Sequence, residues 1–433
     1  MTLTPEVKAA LAVLESAEDP VVFLTGRAGT GKSTLLRYFR ATTAQKLVVL
    51  APTGVAAVNV QGQTIHSFFR FGPDITVDKV RTRHDRERLL FKQIQAIVID
   101  EMSMVRADLL DCIDAFLRLN GPEPHRPFGG IRMLFVGDLY QLPPVVPPEE
   151  EPLFRTYYAS PYFFDARVFR VCALRRVELT TVFRQRDPHF VAILDAIRTS
   201  AMTAPQLARL NSRVLRAPLA HNAGVLVHLV PTNAQADRIN SAHLAHLSAP
   251  GVVFQGVVSG AFNRKHLPTS EALTLKPDAR VMVLANDLDG RWVNGDMGVI
   301  TAIEADKPAE AITVQLENGY RGVISPYTWE VIRFFYDERR DRIESQIEGS
   351  FTQYPLRLAW ALTIHKAQGK TFDHVLLDIG SGTFAHGQTY VALSRCTSLE
   401  GLILRTPIQA RHIFIDRRVQ AFVSGTAPHF RLE

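Results

Sequence analysis

The sequence predicts an α/β protein: two parallel-sheet domains flanked by helices, with a β-rich insertion in the second. Three observations predict it. Short apolar runs alternate with helix-compatible stretches, a glycine-rich segment joins one run to the helix after it, and the alternation lapses between residues 299 and 354 before resuming. Strands alternating with helices make doubly wound domains, whose ligands bind beyond the C-terminal ends of the strands. At roughly 150 residues per domain, a chain of 433 residues has room for two or three folding units.

Residues 5 to 17 have helix-spaced apolar positions at Val7, Leu11 and Leu14, and Pro5 stands at a natural first-turn position after Thr4. The runs VVFL (21 to 24), KLVVLA (46 to 51), IQAIVID (94 to 100) and IRMLFVG (131 to 137) read as buried parallel strands. PPVVPPEEEP (143 to 152) reads as a loop near the end of the first domain, which is placed at residues 1 to 170. A second α/β pattern takes up 171 to 298 and 355 to 433. Its runs are VLVHLV (225 to 230), RVMVLA (280 to 285), HVLLDI (374 to 379) and GLILRT (401 to 406), with a helix from Thr232 to about Leu247. In the interruption, ITVQLENGYRGVI sets Asn318-Gly319 between two alternating runs, a strong hairpin signal.

Composition excludes several classes. Hydrophobic residues are 46% and charged residues 21%, which is ordinary globular usage and not that of a collagen-like or disordered chain. No apolar run approaches the ~20 residues of a spanning helix, so no membrane partner is expected. The first twenty residues do not read as a secretory signal, and the cytoplasm is the expected compartment. Cys112, Cys172 and Cys396 are too few and too scattered for a disulfide framework or a cysteine zinc site, and are expected as buried thiols. A net charge of +6 leans towards a polyanionic partner without identifying one.

The segment Gly26, Arg27, Ala28, Gly29, Thr30, Gly31, Lys32, Ser33, Thr34 fits G-x-x-x-x-G-K-[ST] between a strand and a helix, the context that motif requires. Its glycines let the backbone close around phosphates, its amides face the anion, Lys32 reaches the β and γ phosphates, and Ser33 ligates magnesium. At the end of IQAIVID stand Asp100, placed to hold magnesium, and Glu101, placed to deprotonate an attacking water. The implied reaction is NTP hydrolysis, with phosphoryl transfer by a kinase as the alternative.

Further motifs follow in order: APTGVAAVNVQGQTIHSFF (51 to 69), IDEMSM (99 to 104), GDLYQLPPV (137 to 145), LTTVFRQ (179 to 185), LTIHKAQGKTF (362 to 372) and YVALSRCTSLEGL (390 to 402). With them the chain resembles the Pif-one family of 5′-to-3′ DNA helicases, in the RecD-like branch of superfamily one. The resemblance implies two RecA-like domains with ATP between them and an SH3-like insertion in the second. It makes Gln141 a contact to the γ-phosphate or attacking water, and Arg184 and Arg395 the cleft arginines that stabilise transferring phosphate. It implies a DNA track formed by Thr53, Gly54, Val55, His66 and Ser67 on the first domain and Thr363, His365 and Lys366 on the second. Contacts of that kind position a strand without reading its sequence.

Some positions stay open. Phe68 and Phe69 suit core packing as well as base stacking. Residues 78 to 92 suit a solvated helix face, although the family carries its strand-separating wedge there, which places a small insertion near 66 to 92. VNGDMG (293 to 298) resembles a family segment and equally suits a plain turn. One departure is clear: where the family often has a glutamine that hydrogen-bonds adenine, this chain has Val7. The expected activity is an ATP-dependent, magnesium-requiring DNA helicase, monomeric, acting on single-stranded and forked or duplex DNA. The alternatives are a strand translocase that unwinds weakly and a P-loop kinase or NTPase unrelated to DNA.

Overall fold

The computed structural model describes residues 4 to 425 apart from 73, 186, 216 to 225, 265 to 266, 288, 305 to 310 and 381 to 384. The first helix, Pro5–Glu15, starts where Thr4 accepts the Val7 amide at 3.3 Å, and it buries Val7, Ala10 and Leu14. Behind it lies a six-stranded parallel sheet. Across the sheet the strands run Gln63–Thr64, Leu47–Ala51, Ala96–Ile99, Arg132–Val136, Val21–Gly26 and Arg175–Leu179. Alternate residues serve opposite faces, as strand geometry requires. Val22, Leu24, Val49, Val98 and Leu134 pack with Pro5–Glu15 and the helix Lys32–Thr42. Phe23, Leu50, Ile97 and Phe135 join the larger core that takes in the helix Ala107–Asn120. Burial on both faces is why these strands read as continuous apolar runs.

The last of these strands corrects the expected boundary at 170. Arg175–Leu179 pairs in parallel with Val21–Gly26, so the first sheet runs on to Leu179 and delivers LTTVFRQ directly beside the glycine-rich loop. Its sequence, RRVEL, is half exposed and charged, which hides an edge strand from a search for apolar runs.

The second parallel sheet has the order Ala361–Thr363, Val227–Val230, Val375–Leu377, Leu402–Leu404. Its helix Asn233–His246 begins where Thr232 accepts the Gln235 amide at 3.3 Å. One of the four expected runs, RVMVLA, is not in it. Arg280–Val283 lies instead in an antiparallel sheet with Met297–Glu304, Ala311–Leu316, Arg321–Ile324 and Leu356–Leu358. A short, fully buried run does not reveal which kind of sheet buries it. With the pair Val252–Gln255 and Ala272–Leu275, the β-rich region spans 252 to 358, wider than the expected 299 to 354. Asn318-Gly319 does form the predicted turn, with Gly319 at φ +93°.

A long hairpin, Tyr327–Asp337 and Arg342–Gln353, pairs with Val257–Gly260 and reaches back to the first domain. There Arg333 meets Glu87 at 3.3 Å on the helix Asp85–Gln93, and Lys46 meets Asp341 at 2.6 Å. Phe68 and Phe69 are buried among Phe71, Phe91 and Phe116, which decides for core packing. All three cysteines are buried free thiols. Among the described residues no helix is long and apolar enough to cross a membrane.

Candidate active site

The strand Val21–Gly26 ends in the glycine-rich turn, and the helix Lys32–Thr42 starts after Gly31, which takes the left-handed conformation at φ +83°. Gly29 is also left-handed, at φ +84°, and a Cβ there would stand 2.6 Å from the Cβ of Arg184. The Phe183 amide donates to the Gly29 carbonyl at 2.9 Å, so the arginine-bearing segment lies directly on the loop. The Lys32 ammonium donates to the carbonyls of Gly26 at 2.6 Å and Arg27 at 3.0 Å, while Ser33 and Thr34 are exposed on the first helical turn. Ala28 gives its amide to the Tyr390 hydroxyl of the second domain at 2.9 Å. Arg27 pairs with Asp195 at 2.7 Å, and Thr30 donates to the Arg27 carbonyl.

Asp100 is buried where Ala96–Ile99 ends and accepts the Glu101 amide at 2.9 Å. Glu101 has φ +52°, a conformation that costs a side-chain-bearing residue roughly 1 to 2 kcal/mol. From GDLYQ, buried Asp138 accepts the Gln141 amide at 3.2 Å and faces Arg198 at 3.5 Å, and Arg198 stacks 4.0 Å from the Tyr140 ring centre. Gly387 (φ +73°) leaves no room for a Cβ, which would lie 2.4 Å from the carbonyls of both Tyr140 and Gln141. His386 adds a 2.9 Å bond to the Leu139 carbonyl. The second domain thus closes on the first around this motif.

Arg184 and Arg395 meet in the same cleft. Arg184 donates to the carbonyls of Ser394 and Gly369, and Arg395 donates to the carbonyls of Val391 and Lys370 and to the Ser394 hydroxyl. None of these acceptors carries a charge. Burial, then the positive charge of Arg184, pushes Arg395 down to about 9, and burial also lowers Arg184. Burial lowers Lys32, against the pull of Asp138, Glu101 and Asp100. Burial, then Asp100, raises Glu101 to about 7, while burial raises Asp100. The buried Arg395, the half-buried Arg184 and Lys32 lie near acids whose charge is disfavoured, an arrangement that favours an added polyanion with its cation. The hydroxyl of Ser33 and the carboxylate of Asp100 are hard oxygen donors of the kind magnesium takes.

The expected DNA contacts lie on matching turns. Thr53 accepts the Ala56 amide at 3.2 Å at the start of Gly54–Asn59, a helix that takes in Val55, and Thr363 accepts the Lys366 amide at 3.2 Å. Each threonine hydroxyl is thereby oriented by its own turn, Thr53 half-buried and Thr363 buried at 4% exposure. Thr64 caps Ile65–Phe69 in the same way through the Ser67 amide. Ser67, His365 and Lys366 are exposed and His66 is half-buried.

A family model described as PIF1-like helicase matches residues 3–204. The ATP-dependent DNA helicase Pif1 of Bdellovibrio bacteriovorus is 34% identical over 97% of this chain and 91% of its own length. The chain belongs to the PIF1-like helicase family. It also matches the ATP-dependent DNA helicase PIF1 of Emericella nidulans at 33% identity over 95% of this chain, spanning 61% of that longer relative. The crystal structure of Bacteroides sp Pif1 in complex with ADP-AlF4 superposes with a TM-score of 0.89 at 35% identity, covering 98% of this chain and 97% of that one. For Bacteroides Pif1 bound to ssDNA the TM-score is 0.70 at 36% identity, over 98% and 97%. The two parallel sheets are the RecA-like domains of this PIF1-like family.

Sequence reasoning missed four groups in the cleft: Asp138, Arg198, Gln368 and Tyr390. Gln368 and Tyr390 lie inside TIHKAQG and YVALSR, whose neighbouring residues were singled out, and Asp138 opens DLYQ. Arg198, at the end of Pro188–Arg198, belongs to no motif, and only the fold brings it to Asp138.

Proposed function

We propose that the chain is an ATP-dependent DNA helicase that moves 5′ to 3′ along single-stranded DNA, works as a monomer in the cytoplasm, and opens forked or duplex DNA. The observation that carries this reading is the meeting of half-buried Arg184, which lies on the glycine-rich loop, with buried Arg395, neither with a charged acceptor among the described residues. The relatives' names and the Bacteroides complexes with ADP-AlF4 and with ssDNA support the same reading.

In this reading the loop amides and Lys32 bind the β and γ phosphates of ATP. Ser33 and Asp100 would hold magnesium, which would supply positive charge against that of the phosphates. Gln141 orients the attacking water, and Glu101 accepts its proton. Arg184 and Arg395 meet the charge that develops on the transferring phosphate, a contribution of about 10³ to 10⁵ in rate in NTPases of this type. Thr53 and Thr363 sit on separate domains, so opening and closing the cleft changes the spacing of two grips on one strand. That change of spacing is the step.

Steady-state turnover with and without single-stranded DNA tests the reading. DNA should stimulate the wild type. Glu101→Gln should keep nucleotide and DNA affinity while losing at least ~100-fold in turnover, the scale of a lost general base. Residual hydrolysis near the wild-type rate would remove Glu101 from its role.

A further inference from the structure

Gln368 joins the DNA-facing turn to the hydrolytic pair. Its amide nitrogen lies 2.9 Å from the Glu101 Oε2 and 3.4 Å from the Gln141 Oε1. Gln141 gives its own amide hydrogen to Asp138, which fixes its carbonyl oxygen towards Gln368. The Gln368 nitrogen therefore stands between two acceptors, the base and the glutamine assigned to orient the water. A water donating one hydrogen to Glu101 and the other to Gln141 would need the same place.

The turn that carries Gln368 is a tied unit. Thr363 accepts the Lys366 amide through its side chain and the Ala367 amide through its carbonyl, and His365 accepts the Gln368 amide at 3.1 Å. Ala367 is fully buried and anchors the turn, while His365 and Lys366 are exposed on it. A strand that pulls on the exposed His365 or Lys366 therefore moves Gln368 with them.

We propose that Gln368 is a positioning residue that restrains hydrolysis: its amide holds Glu101 and Gln141 together and fills the water's place until single-stranded DNA draws the turn away. The inference rests on the helicase reading above. It gives that reading a physical route from the strand to the base.

The test compares turnover of wild type, Gln368→Ala and Gln368→Asn, with and without an oligo-dT strand, alongside the KM for ATP and oligo-dT affinity by fluorescence anisotropy. Alanine vacates the position and asparagine is too short to span it. Both variants should raise DNA-free kcat on the order of tenfold, the scale of one hydrogen bond to a charged group. DNA-saturated kcat, KM and oligo-dT affinity should stay within about threefold, so that stimulation by DNA collapses. A purely structural role would instead lower both rates together. Any result in which DNA-free kcat fails to rise in both variants overturns the proposal. If DNA does not stimulate the wild type, the helicase reading fails first and the proposal with it.

Discussion

At the scale of single residues, the site depends on charges held where they are disfavoured. Arg395, with only neutral acceptors, and Glu101, raised to about 7, both gain when a phosphate chain and a cation enter together. Lys32, Asp100 and Glu101 were legible in the sequence because each follows the end of an apolar strand, whereas Gln141, Arg184 and Arg395 were legible only through the family resemblance. The contact from Gln368 to Glu101 was not, since it joins residues 267 positions apart and depends on two domains closing. Val7 is buried in the core with its amide on Thr4, and this chain has no glutamine at that position to read adenine. Turnover of ATP and GTP should accordingly differ by less than about tenfold in kcat/KM, since one hydrogen bond to a base is worth about that much. A much larger preference for ATP would place base recognition elsewhere. Away from the cleft, burial, then His243 and Arg405, holds His228 down to about 4. Unfolded, it titrates near ~6.5, so between those values the unfolded chain binds a proton that the folded one refuses. Stability should therefore fall as pH drops from about 6.5 to 4. His228→Gln should flatten that part of the slope in urea midpoints, and an unchanged slope would exclude His228 as its source.

At the scale of elements, sequence reading succeeded where a local rule decides and failed where distant partners do. Asn318-Gly319 makes its turn because the turn itself demands those residues. RVMVLA was assigned to the wrong sheet because its partners, Met297–Glu304 and Leu356–Leu358, are set by the fold. In the hairpin Tyr327–Asp337 and Arg342–Gln353, RIESQIEGSFTQ is largely exposed towards its start and so shows no apolar run there. Its hold on the first domain combines Arg333 on Glu87, the edge-on approach of Phe334 to Phe68 at 6.2 Å, and Lys46 on Asp341 beneath the Tyr336 ring. Ion pairs this exposed are weak, so the contact sets the hairpin beside the helix Asp85–Gln93 without locking it there. Replacing Arg333 and Phe334 together by alanine should cut unwinding of a forked duplex several-fold, roughly the effect of losing 1 kcal/mol of positioning, and leave DNA-stimulated ATP turnover within about twofold. Equal losses in both assays would mean that the hairpin supports the fold and not the fork.

At the scale of the whole molecule, the charge excess of six positive residues is small for a protein that holds a polyanion. In the proposed reading a modest excess suits a chain that must release each phosphate as well as grip it, with the grip assigned to the turns of Thr53 and Thr363 and the exposed His365 and Lys366. These two turns lie one on each RecA-like domain, and between the domains Gln368 reaches Glu101 and Gln141 while Arg184 reaches the Ser394 and Gly369 carbonyls. In the proposed reading, one movement sets both hydrolysis and strand spacing. The most direct measurement of that claim is ATP-driven unwinding of two otherwise identical duplexes, one with a 5′ single-stranded tail and one with a 3′ tail. The account predicts that the 5′-tailed duplex opens and that Glu101→Gln opens neither. Opening of the 3′-tailed duplex alone, or opening of the 5′-tailed one by Glu101→Gln, would contradict it.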